Sequence, residues 1–301
     1  MKILYGISPT NSIDVTNICL SKLTKNNVII IPDGDQSRAN IFTDPLPRIL
    51  KKIIILNQDN NDDVTESEYD AFTQVYINIQ DNTIKTINIT KQLENIHSKL
   101  NIKYGNFLDE LPEQKMAVRN LSGNEKVLEI GGNIGRNSLV IASILQESTN
   151  LVTLECDINI ANQLIENRDL NNFNFYVEHS ALSNRSLIQK GWDTIPSDTL
   201  LDEYTWVNTI TLDNLKTKYN IEFDTLVLDC EGAFYYILMD MPEILNNIKL
   251  IIMENDYYDI SKKNYVDEIL MKNNFYVDYQ ESGGWGPCFN NFFEVWKKSA
   301  F

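Results

Sequence analysis

Apolar and polar positions follow two different rhythms along the 301-residue chain. Up to about residue 90 the apolar residues come in short runs, "KILYGI", "NNVIIIP", "KKIIIL", "QVYINI" and "TIKTINI", separated by "PDGD" and "NQDNNDD". Short runs rich in isoleucine and valine, bounded by Asp, Asn, Gly and Pro, read as strands. No long helical period interrupts them, so residues 1–90 are expected to form a small, mainly β domain. From Ile89 to Leu121 the spacing turns helical, with Leu93, Ile96, Leu100, Leu108, Leu111 and Val118 as expected core positions. Residues 91–122 are predicted to be a helical bridge.

After that, strand and helix patterns alternate. "KVLEI" precedes a helix over 134–145, "LVTLE" one over 158–170, "DTLVLD" one over 233–239, and "LIIME" one near 261–272, with "FNFYV" as a further strand. Such alternation predicts an α/β domain over 123–301, a doubly wound parallel sheet of seven strands. The last two runs, "NFYVDYQ" and "NFFEVWK" around "ESGGWGPCFN", are expected to close it as an antiparallel pair.

Composition narrows the functions. A formal charge of -16 repels phosphodiester backbones and anionic membranes, so neither nucleic acid nor membrane is an expected partner. The four cysteines, Cys19, Cys156, Cys230 and Cys288, lie too far apart in sequence to suggest a zinc site or a disulfide framework. They are expected to be reduced thiols. No run is long and apolar enough to span a bilayer and no export signal is read, so a cytoplasmic location is expected.

The chemistry centres on "VLEIGGNIGRNSL", where a strand ending at Ile130 gives way to Gly131, Gly132 and Gly135 and then to a helix. This places bare backbone at the carboxyl edge of a sheet, where anionic and nucleotide-like ligands bind. The spacing Glu129-x-Gly131-x-Asn133-x-Gly135 is neither the dinucleotide fingerprint nor a phosphate-binding Walker loop. The strand "LVTLECD" then ends in Glu155, at the separation where an acid takes both ribose hydroxyls of a nucleoside-type cofactor.

Residues 105–296 resemble the class I S-adenosylmethionine-dependent methyltransferases, and within them the FkbM type. The resemblance rests on ordered elements: the Glu129, Gly131, Asn133, Gly135 loop; Glu155 closing the second strand; Ala181, Leu182 and Ser183 after the third; "TLDNL" at 211–215; and "LDCEGAFYYIL" at the end of the fourth. "IIMEN" is similar to the strand that follows. Where the family often carries a second Glu after Gly-Ala, this chain has Phe234, so any role of that carboxylate is absent or relocated.

The resemblance implies S-adenosylmethionine as cofactor, its methionine carboxylate held by N–H groups of the 129–135 loop, Gly132 included, and its ribose by Glu155, with Cys156 alongside. His179, Ser180 and Ala181 would lie against the adenine. Asp229 and Glu231 are the catalytic candidates. A carboxylate there accepts the proton of an acceptor hydroxyl or, equally, ligates a divalent cation, and Asp229 with Glu254 would suit Mg²⁺.

O-methyl transfer to a hydroxyl of a sugar or glycan-linked small substrate is the expected activity. RNA or cap methylation and a non-catalytic binding or assembly module stand as alternatives. His97 reads as a surface or interdomain residue and Cys230 as buried packing. Trp192 and Trp285 fall in loops able to cover an acceptor. "DGD" at 33–35 reads as a solvated turn. Exposed strand edges in residues 1–90 predict homo-oligomerisation.

Overall fold

The structure is a computed structural model that describes residues 1–58, 64–191 and 193–299. Trp192 and residues 59–63, within the run "NQDNNDD", lie outside the described residues. The chain divides into two compact units, Met1–Gln92 and Leu93–Phe301.

The first unit contains β1 (Lys2–Ser8), β2 (Asn11–Asp14), α1 (Thr16–Lys22), β3 (Thr24–Lys25), β4 (Val28–Ile31), α2 (Asp35–Phe42), β5 (Lys52–Gln58), β6 (Val64–Tyr69), β7 (Thr73–Asn78) and β8 (Ile84–Asn88). They build two four-stranded sheets, β2-β1-β5-β6 and β3-β4-β7-β8, with every pair antiparallel. Alternate residues Ile3 and Tyr5 of β1, Ile29 and Ile31 of β4, and Val75 and Ile77 of β7 point into one apolar core.

Two short helices, α1 and α2, join the strands of this mainly β unit. Along α2 the buried positions are Arg38, Ala39 and Phe42, so a cation breaks the apolar stripe by which a helix is recognised. The Arg38 guanidinium donates to the carbonyls of Pro32 (2.8 Å), Asp70 (2.8 Å) and Thr73 (2.6 Å). "DGD" is likewise no simple solvated turn. Asp35 opens α2 and its carboxylate accepts from the Tyr5 hydroxyl (2.7 Å) and pairs with Lys51 (2.9 Å).

The second unit holds α3 (Ile89–His97) from Leu93 onward, α4 (Leu111–Asn120), β9 (Val127–Ile130), α5 (Arg136–Ile144), β10 (Leu151–Leu154), α6 (Ile158–Leu170) and β11 (Tyr176–Glu178). It continues through β12 (Ala181–Leu182), β13 (Leu187–Lys190), β14 (Asp193–Pro196), β15 (Thr205–Val207), β16 (Thr209–Ile210), α7 (Leu212–Tyr219) and β17 (Thr225–Leu228). It ends with α8 (Phe234–Asp240), β18 (Leu250–Glu254), α9 (Ile260–Lys272), β19 (Phe275–Glu281) and β20 (Phe293–Lys298).

Seven strands form one sheet in the order β11-β10-β9-β17-β18-β20-β19, parallel except for the antiparallel β20. All four residues of β9, β10 and β17 are buried, which is why they read as continuous apolar runs. Strand order reverses between β9 and β17, so a crevice opens at their carboxyl ends. The small sheets β12-β16 and β14-β13-β15 were not expected, because the short polar run "IQKG" at 188–191 shows no strand alternation.

One expectation for the bridge fails: Leu108 is 75% exposed, because α4 begins only at Leu111 and residues 101–110 follow no helical period. His97 is half-buried, its ring stacked on Phe107 at 4.7 Å and its Nε2 2.6 Å from the Gln114 side-chain oxygen.

Replacing Arg38 by methionine keeps the volume and removes the guanidinium that donates to the Pro32, Asp70 and Thr73 carbonyls. It should destabilise the first unit by about 3 kcal/mol or more. Hydrogen exchange of β4 and β7 amides in the full chain measures this; a loss below about 1 kcal/mol would show that the guanidinium is dispensable.

Candidate active site

The loop after β9 is shaped by contact with its neighbours. Gly131 has φ +91°, and a Cβ there would stand 1.6 Å from the Asp229 carbonyl oxygen. At Gly132 a Cβ would stand 2.2 Å from Thr153 Oγ1. The glycines therefore allow the ends of β9, β10 and β17 to close on one another.

The loop's own N–H groups are engaged internally. Gly131 and Gly132 donate to the Leu154 carbonyl (3.0 and 2.9 Å), and Gly135 to the Gly132 carbonyl (2.8 Å). Asn133 donates to Glu155 Oε2 (2.9 Å) and Ile134 to Asn133 Oδ1 (2.8 Å). These N–H groups are not free to hold a carboxylate, which corrects that part of the expectation.

A cavity of about 720 Å³ lies at the strand ends of the second unit, within the range of small-molecule sites. Of the expected residues, Gly131, Asn133, Glu155, Cys156, Ser180, Ala181, Asp229, Glu231 and Glu254 line it. Glu155 is 8% exposed and is held by the Asn133 and Asp157 N–H groups (2.9 and 2.8 Å), one on each oxygen. Each oxygen keeps a lone pair for a ligand.

Four expected residues stand back from the wall. Gly132 and Gly135 pack against the Leu164 side chain. His179 Nε2 lies 3.0 Å from the Cys156 carbonyl and so braces the turn. Glu129 accepts a hydrogen bond from the Ser138 hydroxyl (2.5 Å) beneath the loop. Phe234, at the departure from the family pattern, is 1% exposed and belongs to the core. Cys230, only half-buried as a residue, packs against that core and also reaches the cavity wall.

Six carboxyl groups converge at the inner end: Glu110 and Glu113 at the start of α4, Asp229 and Glu231 after β17, Glu254 and Asp256 at and after β18. Burial, then Glu110, Glu113, Glu231 and Asp256, raise the Asp229 carboxyl well above the usual range. Burial, then Asp229 and Glu113, push Glu254 up to about 11. Burial, then a hydrogen bond with Asp256, push Glu231 up to about 7. Glu231 has φ +51°, a left-handed conformation tolerated at functional turns.

Oxygens of Asp229, Glu254 and Asp256 lie within 4.8 Å of one another, a spacing that suits a hard divalent cation. Sequence reasoning missed Asp256, Glu113 and Glu110. The Glu254-x-Asp256 spacing carried a signal for the first. Glu113 had none, because a helix that buries Glu113 and Gln114 beside Met116 and Ala117 shows no clean apolar stripe.

No protein-family model and no curated protein matches the chain. Among solved structures it is similar to the O-methyltransferase from Bacillus cereus in complex with SAH, at 16% identity over 70% of this chain and 91% of that one, TM-score 0.42. It is also similar to the O-methyltransferase TomG from Streptomyces achromogenes in complex with SAM, at 14% identity over 72% and 92%, TM-score 0.38. An rRNA methylase from Streptococcus thermophilus aligns at 12% identity over 66% and 99%, TM-score 0.39. These likenesses are distant, and the fold rests on the sheet order itself: an α/β, Rossmann-like fold.

Burial pushes the Glu129 carboxyl up to about 7, against about 4.3 in an unfolded chain. The folded state holds that proton longer, so its contribution is full below about pH 4.3 and lost as pH rises to about 7. Glu129→Gln removes the loss, and its stability relative to the parent should rise by about 3 to 4 kcal/mol between roughly pH 4 and pH 8. Urea unfolding at both pH values checks this; a pH-independent difference would refute it.

Proposed function

We propose that the chain is an S-adenosylmethionine-dependent O-methyltransferase acting on a hydroxyl of a saccharide or glycan-linked small molecule. One observation carries the reading. The Gly131 backbone, pressed on the Asp229 carbonyl, and the anchored Glu155 flank one acid-lined cavity at the point where strand order reverses.

The cavity fits the cofactor's chemistry. S-adenosylmethionine supplies a methyl group on a positively charged sulfur, and carboxylates at the β17 and β18 ends offset positive charge. Glu155 presents two fixed acceptors to ribose hydroxyls, while Ser180 and Ala181 give the wall beside it. Glu231, with a carboxyl held near neutrality, accepts the proton leaving the acceptor hydroxyl. Alignment of the acceptor supplies most of the rate, which accounts for so few specialised side chains.

A second reading of the acids is favoured by their spacing. Asp229 and Glu254, joined by Asp256, would hold Mg²⁺, which would lower the hydroxyl's pKa. Methylation of RNA is disfavoured by the carboxylates around the cavity, which repel phosphate. The first unit is read as an association module through its outer strands β2, β6, β3 and β8.

Calorimetry with S-adenosylmethionine tests the central reading, and failure to bind sinks it. Glu155→Ala should weaken that binding by about 1 to 3 kcal/mol, the scale of lost charge-assisted bonds; unchanged affinity would put the ribose elsewhere. Chelator should stop turnover and leave cofactor affinity intact if Mg²⁺ is used. Full activity in chelator disposes of the metal.

A further inference from the structure

The side chains expected beside the adenine are engaged with the protein itself. His179 Nε2 lies 3.0 Å from the Cys156 carbonyl, and the Ser180 hydroxyl lies 3.0 Å from Glu178 Oε1 and 2.7 Å from the His179 carbonyl. Asp157 Oδ1 caps α6 by accepting from the Asn159 and Ile160 N–H groups (2.7 and 3.2 Å), and Ala181 has no polar side chain. A polar group facing this end of the cavity comes instead from the small sheet inserted between β12 and β16.

Strands β13 and β14 pair antiparallel with Leu187 opposite Pro196, Ile188 opposite Ile195, and Gln189 opposite Thr194. Residues directly opposite share a face, and successive residues alternate between faces. Leu187, Gln189, Thr194 and Pro196 all line the cavity, whereas Ile188 and Ile195 between them do not. One face of this hairpin is therefore cavity wall. Its position along the wall is fixed at both ends. Arg185, just before β13, is held by both carboxylate oxygens of Asp240 after α8 (2.5 Å each). Thr194 meets the Cys156 thiol, and Cys156 follows Glu155 in the chain. Gln189, directly across from Thr194, thus stands over the end of β10. In the sheet β10 lies on the far side of β9 from β17 and β18, away from the acids at those strand ends.

The Gln189 carboxamide is half-buried and takes no partner among the described residues. It offers one acceptor oxygen beside two N–H donors. That pairing complements the 6-amino group of adenine and the ring nitrogen next to it, as glutamine does when it reads adenine in other settings. We propose that Gln189 is a specificity-determining residue that bonds the purine of the cofactor, so that the β13–β14 hairpin belongs to the cofactor end of the cavity and not to the acceptor end. The proposal rests on the methyltransferase reading and deepens it by naming the group that selects the base.

Calorimetry on the full chain tests it by comparing S-adenosylhomocysteine with its purine counterpart, in which hydrogen replaces the 6-amino group. The unaltered chain should bind the adenine compound about tenfold more tightly, the scale of one buried hydrogen bond lost. Gln189→Leu keeps the bulk and removes the carboxamide, and should bind the two compounds within about twofold of each other. Gln189→Glu keeps an oxygen to accept from the amino group, and should retain the preference. Because the preference is a ratio measured within one protein, a general weakening of the site does not move it.

Equal binding of the two compounds by the unaltered chain overturns the proposal without any variant. A Gln189→Leu chain that keeps the full preference overturns it too, as does loss of the preference in Gln189→Glu, which would make Gln189 a support of the wall and not a contact. Gln189→Ala is measured alongside and read in the same way as the leucine variant, so the result does not hang on the folding of one protein. If S-adenosylhomocysteine fails to bind the unaltered chain, the methyltransferase reading itself falls. Binding without a preference for the amino group leaves that reading standing and removes only the role of Gln189.

Discussion

The contact between the Gly131 backbone and the Asp229 carbonyl is the constraint on which the rest of the second unit depends. Two neighbouring parallel strands must end level with each other, and the chain leaving one must pass directly over the end of the other. Only a residue without a side chain fits. Once that crossing is made, the loop satisfies its own N–H groups against β10 and Glu155, and the carboxyl ends of β9, β10 and β17 become one surface.

That surface holds charge in a way a structural core would not. Six carboxyls meet where burial penalises their ionised forms, and burial together with the neighbouring acids raises the carboxyls of Asp229 and Glu254 well above the usual carboxylate range. A fold gains nothing from such a cluster by itself, since apolar residues of similar volume would pack there at lower cost. The arrangement becomes favourable when positive charge arrives, from a sulfonium or a metal ion.

The first unit solves a different problem with similar means. Arg38 is buried completely, yet each of its three guanidinium nitrogens donates to a carbonyl, those of Pro32, Asp70 and Thr73. Asp35 binds Tyr5 and Lys51 across the chain. Polar side chains thus organise a small unit whose apolar strands alone would leave its connecting segments unsupported.

What the sequence determined by itself was whatever local periodicity and backbone freedom dictate. The apolar runs of β9, β10, β17 and β18, the helical spacing of α6 and α9, and the glycines after β9 were legible because each reports on its own immediate surroundings. Glu155, Asp229 and Glu254 could be singled out because they stand at strand ends. Tertiary structure alone decided that Glu113 turns inward to join the acids. It also set Glu129 and His179 behind the wall and left Leu108 in solvent. These outcomes depend on which distant segments share a space, and no pattern of neighbouring residues encodes the electrostatic field that those segments create together.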